Sequence, residues 1–149
     1  MTPKSAWENI TQYIPKDKVI WEAFMGDGKS GDYLRELGCM EVIHNYNDFF
    51  ENDEGDIVVS NPPFSQSKEI MTRLKHLDKP FILILPTSKL TTQYTQHLFS
   101  NEDGKLQIII PKNRIHFNKN LEGWKKACYF DCFYYCYKMN LPRDLIWID

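Results

Sequence analysis

The sequence predicts an α/β domain built on a mostly parallel sheet with a reversed C-terminal strand. Three observations predict it. Short apolar runs of strand type alternate with segments of helical spacing along the chain. The run Phe81–Leu85 is apolar throughout and reads as a buried strand. No helical segment separates the last two strands, so they pair antiparallel.

Residues 5–14 read as a helix, with Trp7, Ile10 and Ile14 at helical spacing and Pro15 and Asp17 as breakers. Val19-Ile20-Trp21 is the first strand. A Gly-rich turn leads into a helix over Ser30–Leu37, which Gly38 stops. Glu41–His44 and Asp56–Ser60 are the second and third strands, and Pro62-Pro63 ends the third. Ser67–His76 is a helix. Phe81–Leu85 follows as a strand stopped by Pro86, then a helix over Thr91–Phe99, then a strand over Leu106–Ile110. A charged loop runs from Pro111 to Lys126, and Ala127–Tyr137 is the long final strand. In such sheets ligands bind beyond the carboxyl ends of the strands, near the point where the strand order reverses. The loops after the first and third strands both leave carboxyl ends, and neighbouring strands would set them side by side.

A chain of 149 residues with 42% hydrophobic content is sized for one domain with its own core. A net charge of −2 excludes indiscriminate nucleic-acid binding, so any such contact must come from a local basic patch. No apolar run approaches the roughly 20 residues that cross a bilayer. The N-terminus carries no signal-peptide core, so a soluble intracellular protein is expected. Cys128, Cys132 and Cys136 recur every four residues, but within a strand-like composition. Four residues of strand span about 13 Å, too far for a disulfide or a shared metal. With Cys39 they read as buried thiols of a reducing compartment, and no metal site is expected.

The chemistry is concentrated in two loops. The first, Glu22-Ala23-Phe24-Met25-Gly26-Asp27-Gly28, has three readings. Residues 23–30 fit a relaxed phosphate loop ending in Gly28-Lys29-Ser30. Against that, Asp27 would sit beside the phosphates, Gly31 starts the helix weakly, and no apolar strand ends in a magnesium-binding Asp. Alternatively, glycines that admit a ligand close to the backbone, after an acidic strand end, suit a cationic ammonium. The third reading is a plain tight turn.

The second loop, Ser60-Asn61-Pro62-Pro63-Phe64, follows the apolar run Ile57-Val58-Val59. The lone pair of an amino group on an aromatic ring is delocalised, which makes it a poor nucleophile. Two acceptors aimed at its hydrogens favour the pyramidal form. The Asn61 side-chain oxygen and the Pro62 carbonyl are the natural pair, on a backbone stiffened by two prolines. Phe64 can stack on an extruded or single-stranded base. A strand-ending turn is the plainer reading of the same residues.

Asp48 after the second strand can accept from an adenine amino group, with Phe49 or Phe50 against the purine face; a turn-capping Asp with two core rings is the plainer reading. Lys112-Asn113-Arg114-Ile115-His116-Phe117-Asn118-Lys119 and Trp124-Lys125-Lys126 form a basic, aromatic segment opposed by Glu122 alone. It reads equally as a nucleic-acid contact or a solvated hairpin, and Lys112 and Arg114 are the first candidates for backbone phosphates.

On these residues the chain resembles the amino-group, N6-adenine type of S-adenosylmethionine-dependent methyltransferase, a Rossmann-like sheet with a reversed last strand. Thr2-Pro3 matches the N-terminal cofactor motif, Glu22 to Gly28 the cofactor loop, Asp48-Phe49 the adenine-holding motif, and Asn61-Pro62-Pro63-Phe64 the catalytic tetrapeptide. Ile109-Ile110-Pro111 through Phe117, then Phe130-Asp131, matches the final hairpin. The resemblance implies S-adenosyl-L-methionine as cofactor, held by Thr2, Glu22, Ala23, Phe24, Gly26, Gly28, Asn45, Asp48 and Phe49. It implies catalysis by Asn61, Pro62, Pro63 and Phe64. Ala23 stands where the family has Pro, and Asn45 where it has the acidic residue for the ribose, which predicts modest cofactor affinity. No separate target-recognition domain is expected within the 149 residues. Sequence specificity is then weak, or supplied by a specificity subunit or a homo-oligomer. The expected substrate is adenine in nucleic acid, DNA before RNA. The same tetrapeptide also serves RNA-base and protein-glutamine methyltransferases. The rivals are a phosphate-loop nucleotide-binding enzyme and a non-catalytic nucleic-acid-binding relative.

Overall fold

The computed structural model describes residues 2–100, 105–115 and 131–148. Its elements are α1 (Lys4–Glu8), β1 (Val19–Trp21), α2 (Ser30–Glu36), β2 (Glu41–Ile43), β3 (Ile57–Ser60), α3 (Ser67–His76), β4 (Phe81–Pro86), α4 (Gln93–Phe99), β5 (Leu106–Pro111), β6 (Cys132–Tyr137) and β7 (Leu145–Ile148). The strands form one sheet in the order β2-β1-β3-β4-β6-β5-β7. β1 pairs in parallel with β2 and β3, and β3 with β4. β6 is the reversed strand, antiparallel to both β4 and β5. The expected sheet is therefore the observed one, with the reversed strand inserted between β4 and β5.

Every residue of β3 and β4 is buried, because apolar layers cover both faces of the sheet. On one face Trp7, Ile10 and Leu34 pack on Ile20, Val59, Ile82, Ile84 and Tyr134. On the other, Ile70, Met71, Leu74 and Phe99 pack on Val58, Phe81, Leu83, Leu85, Tyr135 and Tyr137. The alternation of Ile82 and Ile84 against Phe81, Leu83 and Leu85 is the period-2 consequence of a two-faced strand. Two buried phenols tie the reversed strand to its surroundings: Tyr134 donates to the Ala6 carbonyl at 2.6 Å and Tyr135 to the Pro86 carbonyl at 2.7 Å.

Three elements differ from expectation. The helix expected over 5–14 is α1 followed by a separate 3₁₀ turn at Thr11–Tyr13. Ile10 leaves the helical region at φ −118°, ψ 10°. That lets Trp7, Ile10 and Ile14 all bury, while the Lys16 ammonium caps the Thr11 and Ile14 carbonyls. Of the final strand expected over 127–137, the described part is β6, and 127–130 lie outside the described residues. β7 was not expected. It pairs in parallel with β5 at the sheet edge. The buried Gln107 of β5 holds the preceding loop, donating to the Leu141 and Arg143 carbonyls (both 3.0 Å) and accepting from the Leu141 N–H at 2.9 Å.

Cys39, Cys132 and Cys136 are buried thiols; burial pushes Cys132 up to about 12. Cys128 lies outside the described residues. Among the described residues no group of three metal-ligating side chains converges, and no helix is long and apolar enough to cross a membrane.

Candidate functional site

The chain runs from β1 out to β2 on one side, then back past β1 to β3 on the other. The sheet order therefore reverses at β1, and the loops leaving β1 and β3 diverge from adjacent carboxyl ends. Between them lies a cavity of about 260 Å³. Its walls include Glu22, Phe24 and Gly26 from the loop after β1, Thr2 from the N-terminal segment, and Asn61, Pro62 and Pro63 from the loop after β3.

Glu22 continues the β1 pairing through its own N–H, which donates to the Ile43 carbonyl at 2.9 Å. Its side chain is only 2% exposed. Oε1 accepts from the Phe24 N–H at 3.1 Å and from the Ser60 hydroxyl. Burial pushes the carboxyl up to about 8, the two hydrogen bonds oppose that rise, and Asp27 adds to it. No basic side chain among the described residues pairs with it. A buried carboxyl without a cation, on the wall of a cavity, is a candidate contact for a cationic ligand group.

Asn61 at the end of β3 supplies the second unpaired group. Its Nδ2 donates to the Thr2 hydroxyl at 2.8 Å, while Oδ1 is buried with no partner. An unmade hydrogen bond at a buried acceptor costs about 1–3 kcal/mol, which makes Oδ1 a candidate acceptor for a ligand donor. Ser60 and Asn61 are successive residues, so the end of β3 touches both the buried carboxyl and the N-terminal segment.

The loop between β1 and α2 is held by a residue that the sequence did not single out. His44 Nδ1 accepts from the Gly31 N–H at 3.1 Å. That puts the ring proton on Nε2, which lies 3.2 Å from the Phe24 carbonyl and 3.1 Å from the Met25 carbonyl. One imidazole thus clamps both ends of the loop. Gly26 and Gly28 adopt left-handed φ of 54° and 81°, which turn the chain between the clamped points. A Cβ on Gly26 would meet nothing within 4 Å, so ligand has open access to that backbone. A Cβ on Gly31 would fall 2.5 Å from His44 Nδ1. Gly31→Ala is therefore expected to destabilise the fold by about 1–3 kcal/mol despite alanine's better helix propensity, and to loosen residues 24–25. Thermal unfolding checks the first effect and ligand affinity the second; a Gly31→Ala variant as stable as the parent contradicts the clamp.

The other predicted residues are placed around this centre and do not line the cavity. Ala23 is buried in the core. Phe49 is 3% exposed, packed between Trp21 and Phe24 at ring-centre distances of 5.4 and 5.1 Å, so it is a core ring. Its neighbour Phe50 is the exposed one of the pair. Asp48 accepts from the Phe50 N–H at 2.9 Å and Asn45 from the Asn47 N–H at 2.9 Å; both side chains cap local turns beyond β2. Phe64 is half-buried and packs against both core layers. Lys112 and Arg114 follow the carboxyl end of β5, on the same edge of the sheet, and Arg114 pairs with Asp131 at 2.7 Å. With three strand spacings between β3 and β5, they lie about 14 Å across the sheet from the Asn61 strand. The rest of that basic segment, including Lys119, Trp124, Lys125 and Lys126, lies outside the described residues. A wider, open groove of about 900 Å³ runs along the outer face of α3, lined by Phe50, Gln66, Lys68, Arg73 and His76 among others.

The phosphate-loop pattern is not set up for phosphate. The Ser30 hydroxyl is buried and accepts from the Trp7 indole at 3.2 Å, and the Gly31 N–H is taken by His44. The Lys29 N–H donates to Asp27 at 3.1 Å. The Gly28, Lys29 and Gly31 N–H groups are already taken within the protein, and the buried acid beside the loop is the Glu22 carboxyl.

No protein-family model and no curated protein sequence matches the chain. Among solved structures it is similar to the precorrin-6y C5,15-methyltransferase of Geobacter metallireducens GS-15, with a TM-score of 0.50 and 12% identity over 92% of this chain and 89% of that one. At that identity the likeness is one of fold, and the fold of this chain is a Rossmann-like methyltransferase sheet.

Proposed function

We propose that the protein is an S-adenosylmethionine-dependent methyltransferase acting on the exocyclic N6 amino group of adenine in nucleic acid, with DNA the first substrate to test. The observation that carries this reading is the pair of incomplete groups lining one cavity: the buried Asn61 Oδ1 without a donor and the buried Glu22 carboxyl without a cation. They fit a cofactor with an ammonium group and a substrate with an N–H₂. The methyltransferase fold supports the same assignment.

Glu22 would receive the ammonium, and the open backbone at Gly26 would admit the rest of the cofactor. Thr2, Phe24 and the turn at Asn45–Phe49 complete the cofactor side, with the exposed Phe50 as the ring available to a purine face. When bound, S-adenosylmethionine supplies a methyl group on a sulfonium. Asn61 Oδ1 and the Pro62 carbonyl accept from the two hydrogens of the target amino group and favour its pyramidal form. Phe64 stacks on the base, and Lys112 and Arg114 meet phosphates further along the same edge.

Incubation with methyl-labelled S-adenosylmethionine and unmodified DNA, RNA or protein, followed by mass analysis of the nucleosides and amino acids, tests the reading. N6-methyladenine in DNA is expected. Label in RNA alone, or in glutamine, would move the substrate while keeping the amino-group chemistry. Label in none of them would contradict the proposal.

A further inference from the structure

We propose that Ser60 is a positioning residue for Glu22: its hydroxyl is the donor through which β3 lets the buried carboxyl carry a charge, so the strand that ends beside Asn61 sets how readily a cationic group is bound. The effect on Glu22 stands on the contact itself; the effect on binding rests on the reading of Glu22 as the contact for the cofactor ammonium. The sequence marked Ser60 only as the residue ahead of Asn61-Pro62-Pro63-Phe64.

An ionised carboxylate holds no hydrogen, so a hydroxyl facing it can only donate. Such a bond is roughly twice as strong as one to a neutral partner. A donor at Oε1 therefore favours the charged form over the neutral one. Glu22 Oε1 has two such donors, the Ser60 hydroxyl and the Phe24 N–H at 3.1 Å. Burial raises the carboxyl to about 8 against the pull of Ser60, then of Phe24, and Asp27 adds to the rise. Of the two bonds, that from Ser60 opposes burial more strongly.

Ser60 is fully buried at the end of a strand whose other residues are Ile57, Val58 and Val59. A hydroxyl there is out of reach of water and must find a partner in the protein. It finds the carboxyl 38 residues earlier in the chain. The donor is held in place by the sheet: Ser60 pairs with Leu83 of β4, and Ile57 of the same strand pairs with Ile20 of β1. Among the described residues, the titratable groups beside Glu22 are few. Asp27 comes from its own loop, and His44 from beyond β2 holds the adjacent Phe24 and Met25 carbonyls. β3 and the N-terminal segment bring Ser60, Asn61 and Thr2, none of which carries charge.

Ser60→Ala removes the donor and leaves the Phe24 N–H in place. The direct readout is the Glu22 carboxyl carbon in ¹³C NMR spectra, assigned by its disappearance in Glu22→Gln. Its titration midpoint is expected to rise by about one pH unit in Ser60→Ala. Ser60→Cys keeps a weak donor and is expected to titrate between the two. Stability gives a second readout that a merely space-filling serine would not move. Between 4.5 and 8 both folded proteins keep the proton that their unfolded chains release, so the gap between parent and Ser60→Ala stays flat. Above 8 the folded parent ionises with the help of the hydroxyl and the gap widens. In a Glu22→Gln background the gap is expected to stay flat at every pH. Affinity for S-adenosylmethionine at about pH 8 is expected to fall about fivefold in Ser60→Ala, through the smaller ionised fraction. A Glu22 midpoint unmoved in both Ser60→Ala and Ser60→Cys overturns the proposal, whatever the protein binds. A stability gap that is the same with and without Glu22 at high pH also overturns it. If Glu22 responds and S-adenosylmethionine binding does not, the control by Ser60 stands and the ammonium reading of Glu22 fails.

Discussion

Replacing Asn61 by alanine is expected to abolish turnover, a loss of at least about 10²- to 10³-fold, while leaving S-adenosylmethionine binding nearly intact. The magnitude is that of removing one preorganised polar group aimed at charge that develops in a transition state. The asymmetry follows from geometry. Oδ1 has no partner in the protein, so its loss breaks no internal hydrogen bond, and the Thr2 hydroxyl released from Nδ2 keeps access to the cavity. The Glu22 wall is untouched. Relief of the unsatisfied Oδ1 and loss of the Nδ2 hydrogen bond to Thr2 oppose each other, so the variant's stability is expected within about 1 kcal/mol of the parent's. Single-turnover kinetics, cofactor titration and thermal unfolding on the same variant check all three. Retained turnover would sink the catalytic assignment.

Glu22→Gln is expected to separate function from stability in the opposite sense. The folded carboxyl titrates near 8 and the unfolded one near 4.5. Below pH 4.5 both states hold the proton and the group is neutral in the balance. Between 4.5 and 8 the unfolded chain releases it while the folded chain keeps it, so stability falls as pH rises, and it levels off above 8. The accumulated penalty is on the order of 3–5 kcal/mol. The glutamine side chain of the variant cannot ionise, keeps the same shape and removes that penalty. The variant should match the parent in stability near pH 4 and exceed it clearly at pH 9. Cofactor affinity should move the other way: the parent binds more tightly as pH climbs through about 8, because the ionised carboxyl is the form that holds an ammonium. The variant should lose at least about tenfold in affinity, together with the pH dependence. A stability difference between parent and variant that does not change with pH would contradict the burial of an unpaired carboxyl.

Much of this arrangement was legible in the residues, for a reason that differs from element to element. β3 and β4 are short and apolar, with Gly55 and Pro62 about β3 and Pro80 and Pro86 about β4, and burial on both faces makes such runs stand out. The sequence put both marked loops at strand carboxyl ends, and the β1–β3 pairing of the sheet sets them together. β7 was missed although Leu145-Ile146-Trp147-Ile148 carries a strand signal as strong as that of β1. Its place depends on Gln107, which holds the approach loop at Leu141, 34 residues further along the chain. The break at Ile10 was missed because helical spacing and a compact double turn bury the same three side chains. In the site, Glu22 and Asn61 were marked by position after strands. Their partners were not: the bonds from Ser60 to Glu22, from Asn61 to Thr2 and from Gly31 to His44 join residues 38, 59 and 13 apart. A serine beside a motif, a threonine near a terminus and a lone histidine after a strand carry no local mark of such bonds. Asp48 and Phe49 matched a motif by residue type, yet the motif does not say which ring faces the core; packing against Trp21 and Phe24 decides that.

The most direct test of the account is calorimetric titration of the purified protein at about pH 8.5 with S-adenosylmethionine, and separately with magnesium-ATP. Saturable one-to-one binding of S-adenosylmethionine, lost in Glu22→Gln and kept in Asn61→Ala, is the predicted result. Binding of magnesium-ATP alone, abolished by Lys29→Ala, or S-adenosylmethionine binding indifferent to Glu22, would contradict it.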